Sequence, residues 1–69
     1  MIYFKKELKD YVLKGRTIRY VAPKLDVHPT YLGDVLRGYK SCSRRLSKQI
    51  LQLISPEAKF SDYFMIKEK

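Results

Sequence analysis

The sequence contains one cysteine, Cys42, and one histidine, His28. A single cysteine cannot form an internal disulfide, and these two residues are too few to hold a structural zinc ion. Domains of this size often need such cross-links because they bury only about 60% of their unfolded surface. We therefore expect the 69 residues to fold as one domain by side-chain packing, with no metal or cofactor, unless a second subunit assists.

Prolines and glycines divide the chain into short segments in which apolar residues recur at helical spacing. In the first segment, Phe4, Leu8 and Val12 fall on one helical face. The predicted helices cover residues 2–14, 18–25, 29–37 and 43–54, followed by a fifth that a Ser-Pro-Glu start signal opens at residues 55–57. No pair of segments is typical of strands, and residues 67–69 are predicted to fray. The predicted fold class is all-α, a compact bundle of about five short helices.

The predicted helix boundaries rest on residues that favour helix ends. Thr17 and Ser43 are suited to cap helix N-termini, and Pro29 suits a first helical position, where its missing N–H is no loss. Gly15 and Gly38 are suited to end helices, since glycine adopts the left-handed conformation at little cost.

The chain is strongly basic. Fifteen Lys and Arg stand against seven Asp and Glu, which gives a formal net charge of +8 and a sequence pI near 9.8. This charge is typical of nucleic-acid-binding domains, although anionic membranes also attract basic chains. No apolar run approaches the roughly 20 residues that span a bilayer, and charge at Lys5 and Lys6 comes too early for a signal peptide. We therefore expect a cytoplasmic protein with no membrane partner.

The second and third predicted helices are separated by about three residues, a spacing that lets two helices meet at a wide angle. Ala22 is small enough for the crossing point, and Leu25 and Val35 are placed to hold the pair against the core. Residues 17–38 resemble the helix-turn-helix of the phage Cro and repressor type, and residues 43–54 resemble the fourth helix of that family. The resemblance implies a sequence-specific, repressor-like transcriptional regulator that binds double-stranded DNA with its third helix in the major groove.

Two residues depart from the family pattern. Asp26 stands where the family usually has a turn glycine, and it tolerates the left-handed conformation. Pro23 lies inside the second predicted helix, where it removes one backbone hydrogen bond at a cost of about 3 kcal/mol. We expect a bend there, or a 3₁₀ geometry near Tyr20.

The resemblance places the start of the third helix against the base edges. The residues that it implies for base contact are His28, Pro29, Thr30, Asp34 and Arg37. Arg37 can pair with guanine, Thr30 can bond a base edge or touch a thymine methyl, and Gly33 lets the helix approach closely. Asp34 has two interpretations: it accepts a hydrogen bond from cytosine, or it pairs with Arg37 one turn further along.

Phosphate neutralisation dominates DNA affinity, so the basic and hydroxyl-bearing residues around this helix also matter. Between residues 36 and 56 there are five Lys and Arg and no acid, and the resemblance places this segment beside the sugar-phosphate backbone. The predicted phosphate contacts are Thr17, Tyr31, Tyr39, Lys40, Ser43, Arg44, Arg45 and Lys48. The two tyrosines fit exposed positions without a binding role equally well.

Two further hypotheses concern protein partners. The C-terminal residues 55–69 include the aromatic residues Phe60, Tyr63 and Phe64, which can close the core and leave Met65 and Ile66 for a two-fold homodimer contact. Alternatively, the chain is a protein-interaction module, such as an antitoxin-like or anti-repressor subunit that docks an acidic partner.

An enzyme is not expected. The sequence has no phosphate-binding glycine loop and no second histidine. Ser41, Cys42 and Ser43 are nucleophile types, yet no base is evident beside them.

Overall fold

The computed structural model describes residues 1–67, which fold around one hydrophobic core. Over these residues the order of elements is β1 (Ile2–Phe4), a 3₁₀ turn (Lys6–Leu8) running into α1 (Lys9–Leu13), α2 (Ile18–Val21), a second 3₁₀ turn (Ala22–Leu25), α3 (Pro29–Leu36), α4 (Arg44–Ile54), α5 (Phe60–Tyr63) and β2 (Phe64–Ile66). The predicted mainly helical fold is confirmed in this coarse form.

A pure all-α class is wrong, because β1 and β2 form a two-stranded antiparallel sheet within residues 1–67. Ile2 lies opposite Ile66, Tyr3 opposite Met65 and Phe4 opposite Phe64. The first predicted helix therefore loses its N-terminal turn: Phe4 reaches the core from a strand and not from a helix face. Pairing between the two ends of the chain stabilises these strands, and no local apolar pattern contains that information.

The predicted helix starts are confirmed at three places. The Thr17 hydroxyl accepts the Tyr20 N–H at the start of α2, and the Ser43 hydroxyl accepts the Leu46 N–H at the start of α4. Pro29 occupies the first position of α3. The side chains of these caps satisfy N–H groups that have no partner inside their own helix.

Positive φ angles mark the ends of the central segments. Asp26 has a φ of 58° between the second 3₁₀ turn and α3, as expected for the turn position, and Gly38 has a φ of 80° after α3. Gly15 has a φ of 81°, but Lys14, at 52°, already leaves the helical conformation at the end of α1. The Lys14 ammonium donates to the carbonyls of Leu53 and Ile54, so it also caps the C-terminus of α4.

Pro23 changes the second predicted helix without interrupting it. The α-helical part ends at Val21, and Ala22–Leu25 continue as a 3₁₀ turn with the proline near its start. The predicted 3₁₀ geometry is thus confirmed, although it begins two residues after Tyr20. Val21, Ala22 and Leu25 all remain buried, so the inward face is continuous through the change of geometry.

The fifth helix begins later than predicted. The Ser55 hydroxyl accepts the Glu57 N–H within a turn, and α5 starts at Phe60. Phe64 stacks on Phe60, at 5.2 Å between ring centroids, and meets Phe4 edge-on at 5.3 Å. The aromatic cluster therefore closes the core of the monomer, while Met65 and Ile66 are left exposed.

Backbone pairing continues to Lys67, the first residue of the tail that was predicted to fray. The backbone N–H of Lys67 donates to the Met1 carbonyl, and the Met1 amino group donates to the Lys67 carbonyl. Lys67 therefore extends the antiparallel pairing and does not fray; the other two residues of the predicted frayed tail, Glu68 and Lys69, lie outside the described residues. Among residues 1–67, no helix has both the length and the apolar character needed to cross a membrane.

Candidate nucleic-acid interface

An open groove of about 560 Å³ lies between α2 and α3. We refer to it as the α2–α3 groove. It is lined by Ile18, Arg19, His28, Pro29, Thr30, Gly33, Asp34 and Arg37. All five residues predicted to contact bases are thus brought together on one surface.

The first turn of α3 is fixed by His28 and Pro29. The Nδ1 atom of His28 accepts the backbone N–H of Thr30 at 3.1 Å. An accepting Nδ1 carries no proton, so the imidazole presents its Nε2–H as a donor. Pro29 follows in the first helical position, where its fixed φ suits the helix. The exposed Thr30 side chain adds a hydroxyl and a methyl group to the same turn.

Asp34 lies in the middle of the groove wall and holds the loop that follows α3. Its carboxylate pairs with the Lys40 ammonium at 3.6 Å, and its carbonyl accepts the backbone N–H groups of Tyr39 and Lys40. The predicted pairing with Arg37 is wrong, since within residues 1–67 the ion-pair partner of Asp34 is Lys40. The Asp34 side chain is 24% exposed.

Arg37 is exposed at the C-terminal end of α3. Its guanidinium has neither a hydrogen bond nor an ion pair among the described residues, so its donors are free for a ligand. Gly33 is buried, and a side-chain Cβ at this position would lie 3.5 Å from Ile18 Cδ1 and 3.7 Å from Arg37 Nη1. Gly33 therefore affects the packing of α3 against Ile18 as well as the distance at which α3 can approach a ligand.

The residues predicted to contact phosphate differ in their position and in whether they already have a partner. Thr17, Tyr39, Lys40, Ser43, Arg44, Arg45 and Lys48 are all exposed. Arg44 and Lys48 share one face of α4 and line a second groove, which contains none of the residues of the α2–α3 groove. Lys40 is already paired with Asp34, so its charge is partly neutralised before any ligand binds.

Tyr31 is less available than predicted. Its ring is half-buried and its hydroxyl donates to the Ser41 carbonyl at 3.2 Å, so its proton is used within the domain. Burial, with a smaller contribution from Cys42, raises the pKa of Tyr31. Tyr31 therefore ties α3 to the following loop.

Sequence reasoning missed the cations of the α2 segment. Arg19 lines the α2–α3 groove opposite α3. Tyr20 is 52% exposed, with the Arg16 guanidinium 5.6 Å and the Lys24 ammonium 4.9 Å from its ring centroid. The inward positions Ala22 and Leu25, which were identified from the sequence, already indicate that Arg19 and Tyr20 lie on the other side of the segment.

Cys42 is buried and its backbone N–H donates to the Ile2 carbonyl. Burial raises the pKa of the Cys42 thiol to about 11, partly offset by a hydrogen bond from its own backbone. The thiol is therefore protonated at neutral pH. No group of three His, Cys, Asp or Glu side chains in the described part of the chain is arranged to hold a metal ion.

Comparisons with known proteins give no relatives: no protein-family model matches this chain, and neither a curated protein nor a solved structure matches it significantly.

Proposed function

We propose that this chain is a sequence-specific, repressor-like transcriptional regulator that binds double-stranded DNA with the exposed face of α3 in the major groove. The observation that carries the proposal is the α2–α3 groove, in which all five side chains predicted for base contact line one open surface together with Arg19. The net charge of +8 supplies the attraction to a polyanion that such binding requires.

The chemistry of the groove suits the edges of base pairs. The free guanidinium of Arg37 can donate to both O6 and N7 of guanine, and Thr30 can bond a base or contact a thymine methyl. The Nε2–H of His28 is a third donor. Asp34 accepts a hydrogen bond from cytosine N4 and repels phosphate, so it favours one register of α3 on the duplex.

Affinity comes mainly from the surrounding cations. Arg19 lies at the groove itself, and Arg16 and Lys24 flank the exposed ring of Tyr20 on the same segment. Tyr39 and Arg45 follow α3 in the chain and are also exposed. Each cation that neutralises a phosphate adds about 0.9 to the steepness of the dependence of affinity on salt.

Arg37→Ala tests the proposal, with Lys59→Ala as the matched control. Both replace an exposed cation by the same residue, and Lys59 lies before α5, outside the α2–α3 groove. Binding of each variant to its preferred duplex and to single-base variants is measured by fluorescence anisotropy. We expect Arg37→Ala to lose about 1–3 kcal/mol of discrimination at one base pair, roughly 5- to 150-fold, whereas Lys59→Ala keeps the full preference. Equal effects of the two substitutions contradict the proposed register.

A further inference from the structure

A second groove, of about 350 Å³, lies beside the N-terminal half of α4. We refer to it as the notch. Its apolar walls are Ile2, Phe60 and Ile66, and Ser47, Arg44 and Lys48 complete its lining. The notch shares no residue with the α2–α3 groove, so it is a separate surface.

The notch exists because the sheet continues past the core. Side chains two residues apart on a strand point to the same side, so Phe64 and Ile66 share one face of β2. Phe64 is buried in the core on that face, whereas Ile66 is 67% exposed. The core-facing side of the sheet is therefore uncovered at Ile66, whereas its partner Ile2 is half-buried against the core.

The strand that borders the notch also has an open edge. Met1 and Lys67 exchange two backbone hydrogen bonds, as residues of a hydrogen-bonded antiparallel pair do. Such pairs alternate along the ladder, so the N–H and C=O groups of Ile66 point away from β1. Within residues 1–67 the sheet has only these two strands, so the outer edge of β2 has no partner strand there. An edge of this kind can pair with an extended peptide.

Charge selects the occupant of the notch. Two cations, Arg44 and Lys48, line it, and no acidic side chain among residues 1–67 does. A second copy of this chain, itself at +8, would bring further cations to these two. A nucleic acid would meet the cations but has no aliphatic side chain to cover Ile66. An acidic protein segment that carries one apolar side chain satisfies both the cations and the apolar wall.

We propose that the notch and the outer edge of β2 bind an extended segment of a partner protein, which inserts one apolar side chain between Ile2, Phe60 and Ile66 and sets carboxylates against Arg44 and Lys48. This interaction is additional to DNA binding and does not depend on it.

The test uses the full chain and a display library of random nonapeptides at about 150 mM salt, where exposed charges are screened beyond roughly 8 Å. We expect enrichment of peptides with one large apolar residue flanked by Asp or Glu. The affinity of an enriched peptide, labelled with a fluorophore, is then measured by anisotropy. Ile66→Ser and Arg44→Glu each weaken it by at least about tenfold, as expected for central residues of an interface. Arg45→Glu, on the adjacent and exposed position of α4 outside the notch, changes it by less than about twofold.

Two measurements keep the result independent of folding defects in the variants. Replacing the carboxylates of the peptide by amides weakens binding to the unaltered protein. Ile66→Ser leaves the helical circular-dichroism spectrum of the chain unchanged, so a loss of peptide binding is not a loss of fold.

Three outcomes overturn the proposal: no enriched peptide, enriched peptides without acids, or binding that is insensitive to Ile66→Ser. A dimer in sedimentation that Ile66→Ser dissociates assigns the notch to a second copy and overturns it as well. Failure of duplex binding leaves each of these readouts unaffected.

Discussion

Gly33→Ala should stabilise the protein, although this glycine lies in the helix proposed to read DNA. Gly33 is the fifth residue of α3, where glycine is about 0.8–1.0 kcal/mol less favourable than alanine. The added Cβ would lie 3.5 Å from Ile18 Cδ1 and 3.7 Å from Arg37 Nη1, which are ordinary van der Waals contacts. The helix-propensity gain of about 1 kcal/mol is therefore retained. For a domain of this size it corresponds to a rise in Tm of about 4–8 °C.

Gly38→Ala is the matched control, because it makes the same chemical change at a residue with a φ of 80°. A Cβ there would also meet its nearest atom, the Phe4 carbonyl oxygen, at an ordinary 3.8 Å. The difference that decides the sign is the backbone conformation, since left-handed geometry costs a residue with a side chain about 1–2 kcal/mol. The reduced entropy of the unfolded chain offsets about 0.4–1 kcal/mol of that cost. We therefore expect Gly38→Ala to lower Tm.

Thermal unfolding followed by circular dichroism measures both variants. A Tm for Gly33→Ala at or below that of the unaltered chain would refute the reasoning, since it would show that α3 cannot accept a methyl group against Ile18. Duplex affinity of the same variant then shows whether Gly33 also permits close approach to DNA.

Three further predictions concern the surroundings of α3 and α4. Because the Cys42 pKa is raised to about 11, the folded chain keeps a proton that the unfolded chain loses, so the free energy of unfolding should fall as pH rises from about 9 to 11. Denaturant unfolding at several pH values should show this fall, and Cys42→Ala should make it smaller. Tyr31→Phe removes the hydrogen bond to Ser41 and should lower the free energy of unfolding by about 0.5–1.5 kcal/mol without altering the affinity for duplex DNA. A large loss of duplex affinity at unchanged stability would instead indicate that Tyr31 contacts phosphate. Lys14→Met removes the donor to the last carbonyls of α4 and should lower stability by about 0.3–1 kcal/mol in urea unfolding, less at high salt; an effect independent of salt would exclude charge as its cause.

The sequence predicted the parts of the fold that depend on neighbouring residues. The caps at Thr17 and Ser43, the proline at the start of α3 and the turn at Asp26 each involve groups only a few residues apart. Residue chemistry alone favours those conformations, so the helix order from α2 to α4 followed from it.

The strands and the late start of α5 could not be predicted in this way. Phe4 and Phe64 are sixty positions apart, and their strands are three residues long, too short for a repeating pattern. The Ser-Pro-Glu signal at 55–57 is a valid helix start, but the same Ser55 hydroxyl also stabilises a turn. Phe60, the first residue of α5, packs against the core, and this tertiary contact is not visible in the local sequence.

The candidate site shows the same division. The base-contact set followed from the family resemblance, and its residues do line one groove. The contacts between residues of the site were not predictable from the sequence. Asp34 pairs with Lys40, and the Tyr31 hydroxyl donates to the Ser41 carbonyl, because the loop after α3 folds back on the helix. Arg19 was not predicted, because the family resemblance implies base contacts from the third helix and Arg19 lies on the second.

The most direct test of the DNA-binding proposal is selection of the full chain against a random duplex library at about 150 mM salt, where electrostatic attraction between exposed charges is limited to roughly 8 Å. We predict enrichment of a defined half-site containing a G·C pair whose recognition is lost in Arg37→Ala. An inverted repeat with centres about 34 Å apart would further show that two copies bind one face of the duplex. Retention of duplex without enrichment would contradict sequence-specific recognition, and no retention of duplex would contradict DNA binding altogether.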